Sequence, residues 1–151
     1  NLLAGYNAYF QIAQSVAHVV IFQELIHDAR VIPIDGTPHL DDSVRQLHGD
    51  SRGHWEGDTL VVETTNYSSR GSYRGASENV RVVERFTRVA PDTIQYGVTF
   101  DDPDTWTQPW TLMIPLKQSA EPIFEYACHE GNYAIAGILA GARAEEADAS
   151  R

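Results

Sequence analysis

The sequence contains one cysteine, Cys128, in 151 residues. A single thiol can form no internal disulfide and cannot build a thiolate metal cluster, so neither organises this chain. Long apolar runs are also missing. The run 19–22 is far too short to cross a bilayer, and no positively charged start followed by an apolar stretch indicates a signal peptide. We therefore expect no membrane insertion.

Several motifs that carry known chemistry are missing as well. The sequence has no glycine-rich phosphate loop, no Gly-x-Ser-x-Gly elbow, no His-Glu-x-x-His and no His-x-His pair. Nucleotide binding, a serine nucleophile, a bound metal and a cofactor are accordingly not predicted. Asp and Glu outnumber Lys and Arg by 21 to 11, for a net charge of -10. An acidic surface repels phosphate backbones and anionic lipids, which argues against nucleic-acid and membrane partners.

The residues that are present favour β structure. Apolar residues make up 42% of the chain, which is enough to build the core of one domain. Short segments rich in β-branched and aromatic residues alternate with turn signals such as Gly57-Asp58. The predicted strands are 18–24, 29–34, 53–65 (a hairpin), 80–89, 93–100, 110–117 and 123–128. An Ala-rich tail, 134–148, predicts a helix that is interrupted or capped near Gly141.

These elements predict a mainly β fold, an antiparallel β-barrel followed by a C-terminal helix. Residues 1–151 form one domain, with the barrel over 10–133 and the helix over 134–148. Closure is favoured because a barrel has no exposed strand edges. The expected barrel is similar to the calycin, lipocalin-like barrels that hold small molecules.

Strand alternation places two carboxylates on apolar faces. Glu84 falls on the more apolar, even-numbered face of 80–89, and Glu24 falls among apolar residues on the even-numbered face of 18–24. A buried carboxylate costs several kcal/mol, by order of magnitude, unless it is paired or protonated. Arg30 and Arg85 are candidate partners. Each carboxylate is either a pocket acid or base with a raised pKa or half of a structural ion pair.

Histidine is the commonest acid or base near neutral pH, and His27 follows Glu24 closely. If the first and last strands close the barrel, His27 meets His129 and Glu130 at one mouth. The alternative is that His129 and Glu130 end the last strand and cap the helix. The candidate catalytic residues are Glu24, His27, Glu84 and His129, and the candidate ligand-binding residues are Arg30, Glu63, Tyr96, Trp110, Tyr126 and Glu130.

Two longer motifs carry a family resemblance. The run GDSRGHWEGDTLVVETT at 49–65 and the run EYACHEGNY at 125–133 resemble hallmarks of an uncharacterised family of exported acidobacterial and proteobacterial proteins. The segments VERF at 83–86 and DDP at 101–103 are similar too. The resemblance implies a periplasmic or secreted setting, and it implies no activity.

Three functions stay open. The chain is a small-molecule pocket protein and acts as an acid/base enzyme (a lyase, isomerase or hydrolase), or it is a non-catalytic carrier of an apolar ligand, or it is a structural or assembly subunit. The expected partner is a small-molecule ligand or substrate, and a homo-oligomer is left open. Polar residues on apolar faces favour the enzyme over a simple lipid carrier.

Overall fold

The computed structural model describes residues 9–71, 75–126 and 130–149. Within these ranges, eight antiparallel strands are followed by one helix, α1 (Ala134–Ala149), and a 3₁₀ turn, Leu25–His27, joins the second strand to the third. The strands are β1 (Phe10–Gln14), β2 (His18–Gln23), β3 (Ala29–Pro33), β4 (Asp50–Glu56), β5 (Thr59–Thr65), β6 (Arg81–Ala90), β7 (Thr93–Asp101) and β8 (Trp110–Lys117). The predicted mainly β architecture with a C-terminal helix is confirmed.

The described strands form two open sheets, ordered β1-β2-β3 and β4-β5-β6-β7-β8, with every neighbouring pair antiparallel. No closed barrel is detected among them. The predicted last strand, 123–128, is irregular over residues 123–126, and residues 127 and 128 lie outside the described ranges. Since that segment was expected to stand beside β1, its irregular path leaves β1 and β8 as edges of separate sheets.

The hairpin between β4 and β5 turns at the predicted dipeptide. Glu56 pairs with Thr59, and Gly57 adopts a φ of 58° between them. A positive φ at the first of two loop positions is what a type II′ turn requires, and it suits glycine because there is no Cβ to clash. The turn fixes the register that places Ser51 opposite Thr64 and Gly53 opposite Val62.

The core lies between the inner faces of the two sheets. The three-stranded sheet contributes Val19, Ile21 and Ile32, and the five-stranded sheet contributes Leu60, Val62, Val82, Phe86, Tyr96, Val98 and Phe100. Where β3 passes β4, Gly53 allows close approach, because a Cβ there would lie 2.9 Å from Ile34 Cγ2 and 3.1 Å from Ile32 Cγ2. The even-numbered inner faces predicted for β6 and β7 are both present.

The predicted inner face of β2 is wrong. Val19 and Ile21, at odd positions, are each 1% exposed, whereas Val20 and Phe22 are half-buried. Both faces of this strand carry apolar side chains, so hydrophobicity alone cannot orient it. Its pairing with β3 decides the matter, since Val19 lies opposite the fully buried Ile32.

Helix α1 runs through Gly141 without the predicted interruption. None of its residues is buried, and Ile135, Ile138 and Leu139 are among its exposed apolar side chains. The helix therefore adds little to the described core. None of the helices in the described ranges is long and apolar enough to span a bilayer.

Candidate functional site

Glu84 is the centre of a polar cluster buried between the sheets. Its side chain is 1% exposed, and its Oε2 lies 2.6 Å from Nη1 of Arg30, which comes from β3 of the opposite sheet. The Tyr96 hydroxyl, one strand away, donates a 2.7 Å hydrogen bond to Oε1. Arg30 was one of two predicted partners for this carboxylate, and that pairing is present. The other candidate, Arg85, lies on the outer face of β6 and pairs with Glu56.

The environment of this cluster shifts the pKa values of Arg30 and Tyr67. Burial opposes the guanidinium charge, but the adjacent Glu84 carboxylate outweighs it and raises the pKa of Arg30 above its usual value. Burial, reinforced by the Glu84 charge, raises the pKa of Tyr67 to about 12. Among the described residues, Arg30 Nη2 has no hydrogen-bond partner. The cluster is thus an ion pair that joins the two sheets, and one donor of Arg30, Nη2, makes no hydrogen bond within the described residues.

Glu24 and His27 do not join Glu84. The prediction for Glu24 rested on the wrong face of β2, and the residue instead precedes the 3₁₀ turn, half-buried. His27 ends that turn with a φ of 55° and an exposed side chain, and its Nε2 lies 3.8 Å from Oε1 of Glu125. His129 lies outside the described residues, so the predicted meeting of the two histidines stays a prediction.

His27 lines an open groove of about 1070 Å³ that runs between the edge strands β1 and β8. The segment 118–125 and the β6–β7 turn form its other walls. Half of its lining residues are apolar, and these include Phe10, Ile12, Phe22, Ile94, Leu116, Ile123 and Phe124. We call this space the β1–β8 groove. It lies where strand pairing between β1 and β8 would have been needed to close a barrel.

Charged side chains stand around this groove in two groups. Arg88, Asp92 and Lys117 lie on the side of the β6–β7 turn, and Glu121 and Glu125 lie on the segment that follows β8. The Thr93 hydroxyl and the Lys117 ammonium lower the pKa of Asp92, so this carboxylate is charged at neutral pH. The groove therefore combines apolar and acidic or basic side chains, a combination suited to amphipathic molecules.

The remaining predicted ligand-binding residues are dispersed. Glu63 lies on the outer face of the large sheet, where Arg81 pairs with it. Trp110 stacks on Phe100 with ring centroids 4.5 Å apart, as part of the core edge. Tyr126 is half-buried, and Glu130 is exposed in the turn before α1. None of these four lines the β1–β8 groove, and Tyr96 contacts Glu84 in the core.

Sequence reasoning missed a second cluster on the outer face. Asp50 accepts hydrogen bonds from the Leu40 N–H at 3.0 Å and from Arg52 Nη1 at 2.6 Å, and its Oδ2 lies 2.9 Å from His39 Nδ1. His39 Nε2 lies 3.6 Å from Oε1 of Glu63 on β5, so the imidazole stands between two carboxylates. No spacing pattern marks these residues. The register that pairs Arg52 with Glu63 was the one available signal.

Nearby, Asn66 ties down the loop that carries His39. It adopts a φ of 55° and is 6% exposed. Its Nδ2 donates to the backbone carbonyls of Leu40, Asp41 and Val44 at 3.1, 3.1 and 3.3 Å. The loop is therefore a fixed part of the structure, which holds His39 against Asp50.

Within the described ranges, no three His, Cys, Asp or Glu side chains are grouped to hold a metal ion. Comparison with known proteins leaves this geometry as the only guide to function: no family model matches the chain, and no match was found among curated proteins or solved structures.

Proposed function

We propose that this domain binds a small amphipathic molecule in the β1–β8 groove, as a carrier or binding module rather than as an enzyme. One observation carries the proposal. A groove of about 1070 Å³ keeps apolar side chains such as Phe10, Phe22, Ile94 and Leu116 only half-buried. Small-molecule sites typically enclose about 300–1,000 Å³ with mostly apolar walls and a few polar groups. Covering these apolar side chains with the apolar part of a ligand removes them from water, which is favourable.

Acid–base catalysis has weaker support. Of the predicted catalytic residues that the structure describes, His27 lines the groove and Glu24 and Glu84 do not. Glu84 is held by Arg30 and Tyr96, and a general base must reach its substrate within hydrogen-bond distance. Of the predicted catalytic residues that the structure describes, an enzyme in this groove would therefore have His27 alone, 3.8 Å from Glu125.

Two finer proposals accompany this function. A calycin-like ancestry for the fold is supported by the sequential, antiparallel order of the strands within both sheets. An exported setting is supported by the motif resemblance over 49–65 and 125–133. Neither is needed for ligand binding in the groove.

The test uses N-phenyl-1-naphthylamine, an uncharged apolar fluorophore, titrated into the purified protein. We expect saturable binding at one site per chain. The Phe124→Ala variant, which removes a groove-lining ring that is 64% exposed, is expected to weaken binding roughly tenfold, because about 1–2 kcal/mol of apolar contact is lost. Tyr133→Ala is the matched control, since this ring is 80% exposed and does not line the groove. Non-saturable binding, or an equal loss in both variants, would refute the proposal.

A further inference from the structure

The two basic side chains of the β1–β8 groove are already occupied by protein groups. Lys117 Nζ donates a 2.7 Å hydrogen bond to the Thr93 hydroxyl and lies 3.6 Å from the Asp92 carboxylate. The Arg88 guanidinium donates hydrogen bonds to the backbone carbonyls of Ala90 and Pro91, at the end of its own hairpin. Lys117 therefore has a carboxylate partner, whereas Arg88 shares its donors with backbone carbonyls.

The acidic side chains on the opposite wall, Glu121 and Glu125, have fewer protein partners. Among the described residues, the Glu121 carboxylate pairs with no cation, and its recorded hydrogen bond is made by its backbone N–H. Glu125 is 71% exposed, and within the described part of the chain its one ion-pair partner is His27, at 3.8 Å. Among the described residues, this wall therefore presents two carboxylates with no lysine or arginine partner.

Aromatic rings stand on the same groove surface. Tyr9 is 55% exposed and Phe124 is 64% exposed, and Phe22 lies half-buried between the walls. The face of an aromatic ring attracts cations through its quadrupole, and such faces are a common means of binding quaternary ammonium groups. The net charge of -10 adds a long-range field that concentrates cations near the surface.

We infer that the ligand of the β1–β8 groove is an amphipathic cation, an alkyl chain or small apolar body that ends in an ammonium group. The apolar part covers Ile94 and Leu116, and the ammonium lies between the carboxylates of Glu121 and Glu125. This inference rests on the proposed function and adds the sign of the head group. An anionic amphiphile would meet three carboxylates, those of Asp92, Glu121 and Glu125, against two basic side chains, of which Lys117 already lies beside Asp92.

The experiment displaces the bound fluorophore with three competitors that share an eight-carbon tail: octyltrimethylammonium, octanoate and 1-octanol. In 50 mM salt, we expect the cation to bind roughly tenfold more tightly than the anion, with the alcohol between them. The preference is expected to shrink in 500 mM salt, because exposed charges are screened.

The double variant Glu121→Gln/Glu125→Gln is expected to remove most of this preference, lowering the affinity for the cation far more than the affinity for 1-octanol. Glu145→Gln/Glu146→Gln removes the same formal charge from α1, which contributes no residue to the groove lining, and serves as the control. If both double variants lower cation binding equally, general attraction rather than this wall is responsible and the inference fails. Equal binding of cation and anion in the wild type also overturns it, while the proposed function stands. If no competitor displaces the fluorophore, the proposed function fails first.

Discussion

Replacing Glu84 by Gln is expected to destabilise the domain by about 3–5 kcal/mol. Removing one partner of a buried ion pair leaves the other charge uncompensated, and costs of this order are typical. The structure places Glu84 at the upper end of the range, because its side chain is 1% exposed and Arg30 Nη2 already has no partner among the described residues. Gln keeps an acceptor for the Tyr96 hydroxyl, so the loss of charge dominates the effect.

A double-mutant cycle separates the pair from its surroundings. Arg30→Met keeps the length of the side chain and removes its charge, and the combination Arg30→Met/Glu84→Gln removes both charges. We expect the double variant to be more stable than the sum of the single losses predicts, by about 2–3 kcal/mol, since neither single charge is stranded. Urea unfolding at pH 7 measures this, followed by the fluorescence of Trp106 and Trp110, which pack on Phe100.

The next residue of β6 supplies the control. Arg85 points to the outer face and pairs with Glu56, at 2.6 Å, with both side chains about half exposed. Glu56→Gln is expected to cost less than about 1 kcal/mol, because exposed pairs contribute little. If Glu84→Gln also costs less than about 1 kcal/mol and the cycle is additive, the two sheets are not joined by this pair and the reasoning is refuted.

Two further predictions concern other parts of the fold. Burial alone would raise the pKa of Asp50, but hydrogen bonds from Leu40, His39 and Arg52 hold it below the ordinary 3.8. A lowered carboxyl pKa contributes stability above that ordinary value and loses it as the pH falls through the folded-state pKa. Unfolding free energies between pH 5 and 2 should therefore fall more steeply in the wild type than in Asp50→Asn, and parallel curves would contradict this. Gly53→Ala is expected to cost about 1–3 kcal/mol in urea unfolding, since its Cβ would meet the side chains of Ile34 and Ile32 at 2.9 and 3.1 Å, and a neutral result would mean that the segment carrying them moves away freely.

Where the sequence alternates cleanly, the structure could be predicted to the level of single side chains. In β7, the positions of Tyr96, Val98 and Phe100 share one face without a polar interruption, and all three are buried. Antiparallel pairing then places Glu84 opposite Val98, inside the core. The buried carboxylate and its pairing with Arg30 were accessible for this reason.

Where both faces of a strand are apolar, the alternation of side chains does not reveal which face points to the core. In β2, Val19 and Val20 are equally suited to a core, so the choice rests on contacts with β3 that lie outside local sequence. The same limit explains why Glu24 was misplaced. The His39–Asp50 contact was missed for another reason, because His39 lies in a loop that no spacing pattern relates to β4. The groove could not be predicted either, because it exists where residues 123–126 fail to form the strand that their composition favours.

The fixed position of Asn66 has a consequence for how the protein is produced. Residues 66–68, Asn-Tyr-Ser, form an acceptor sequence for N-linked glycosylation. The nitrogen that a glycan would modify is the one that donates to three loop carbonyls, in a side chain that is 6% exposed. A sugar could be attached only before the loop closes, and it would then keep the loop open. Secretion from a eukaryotic host would yield a modified pool unable to complete this fold, whereas a host without this modification avoids it.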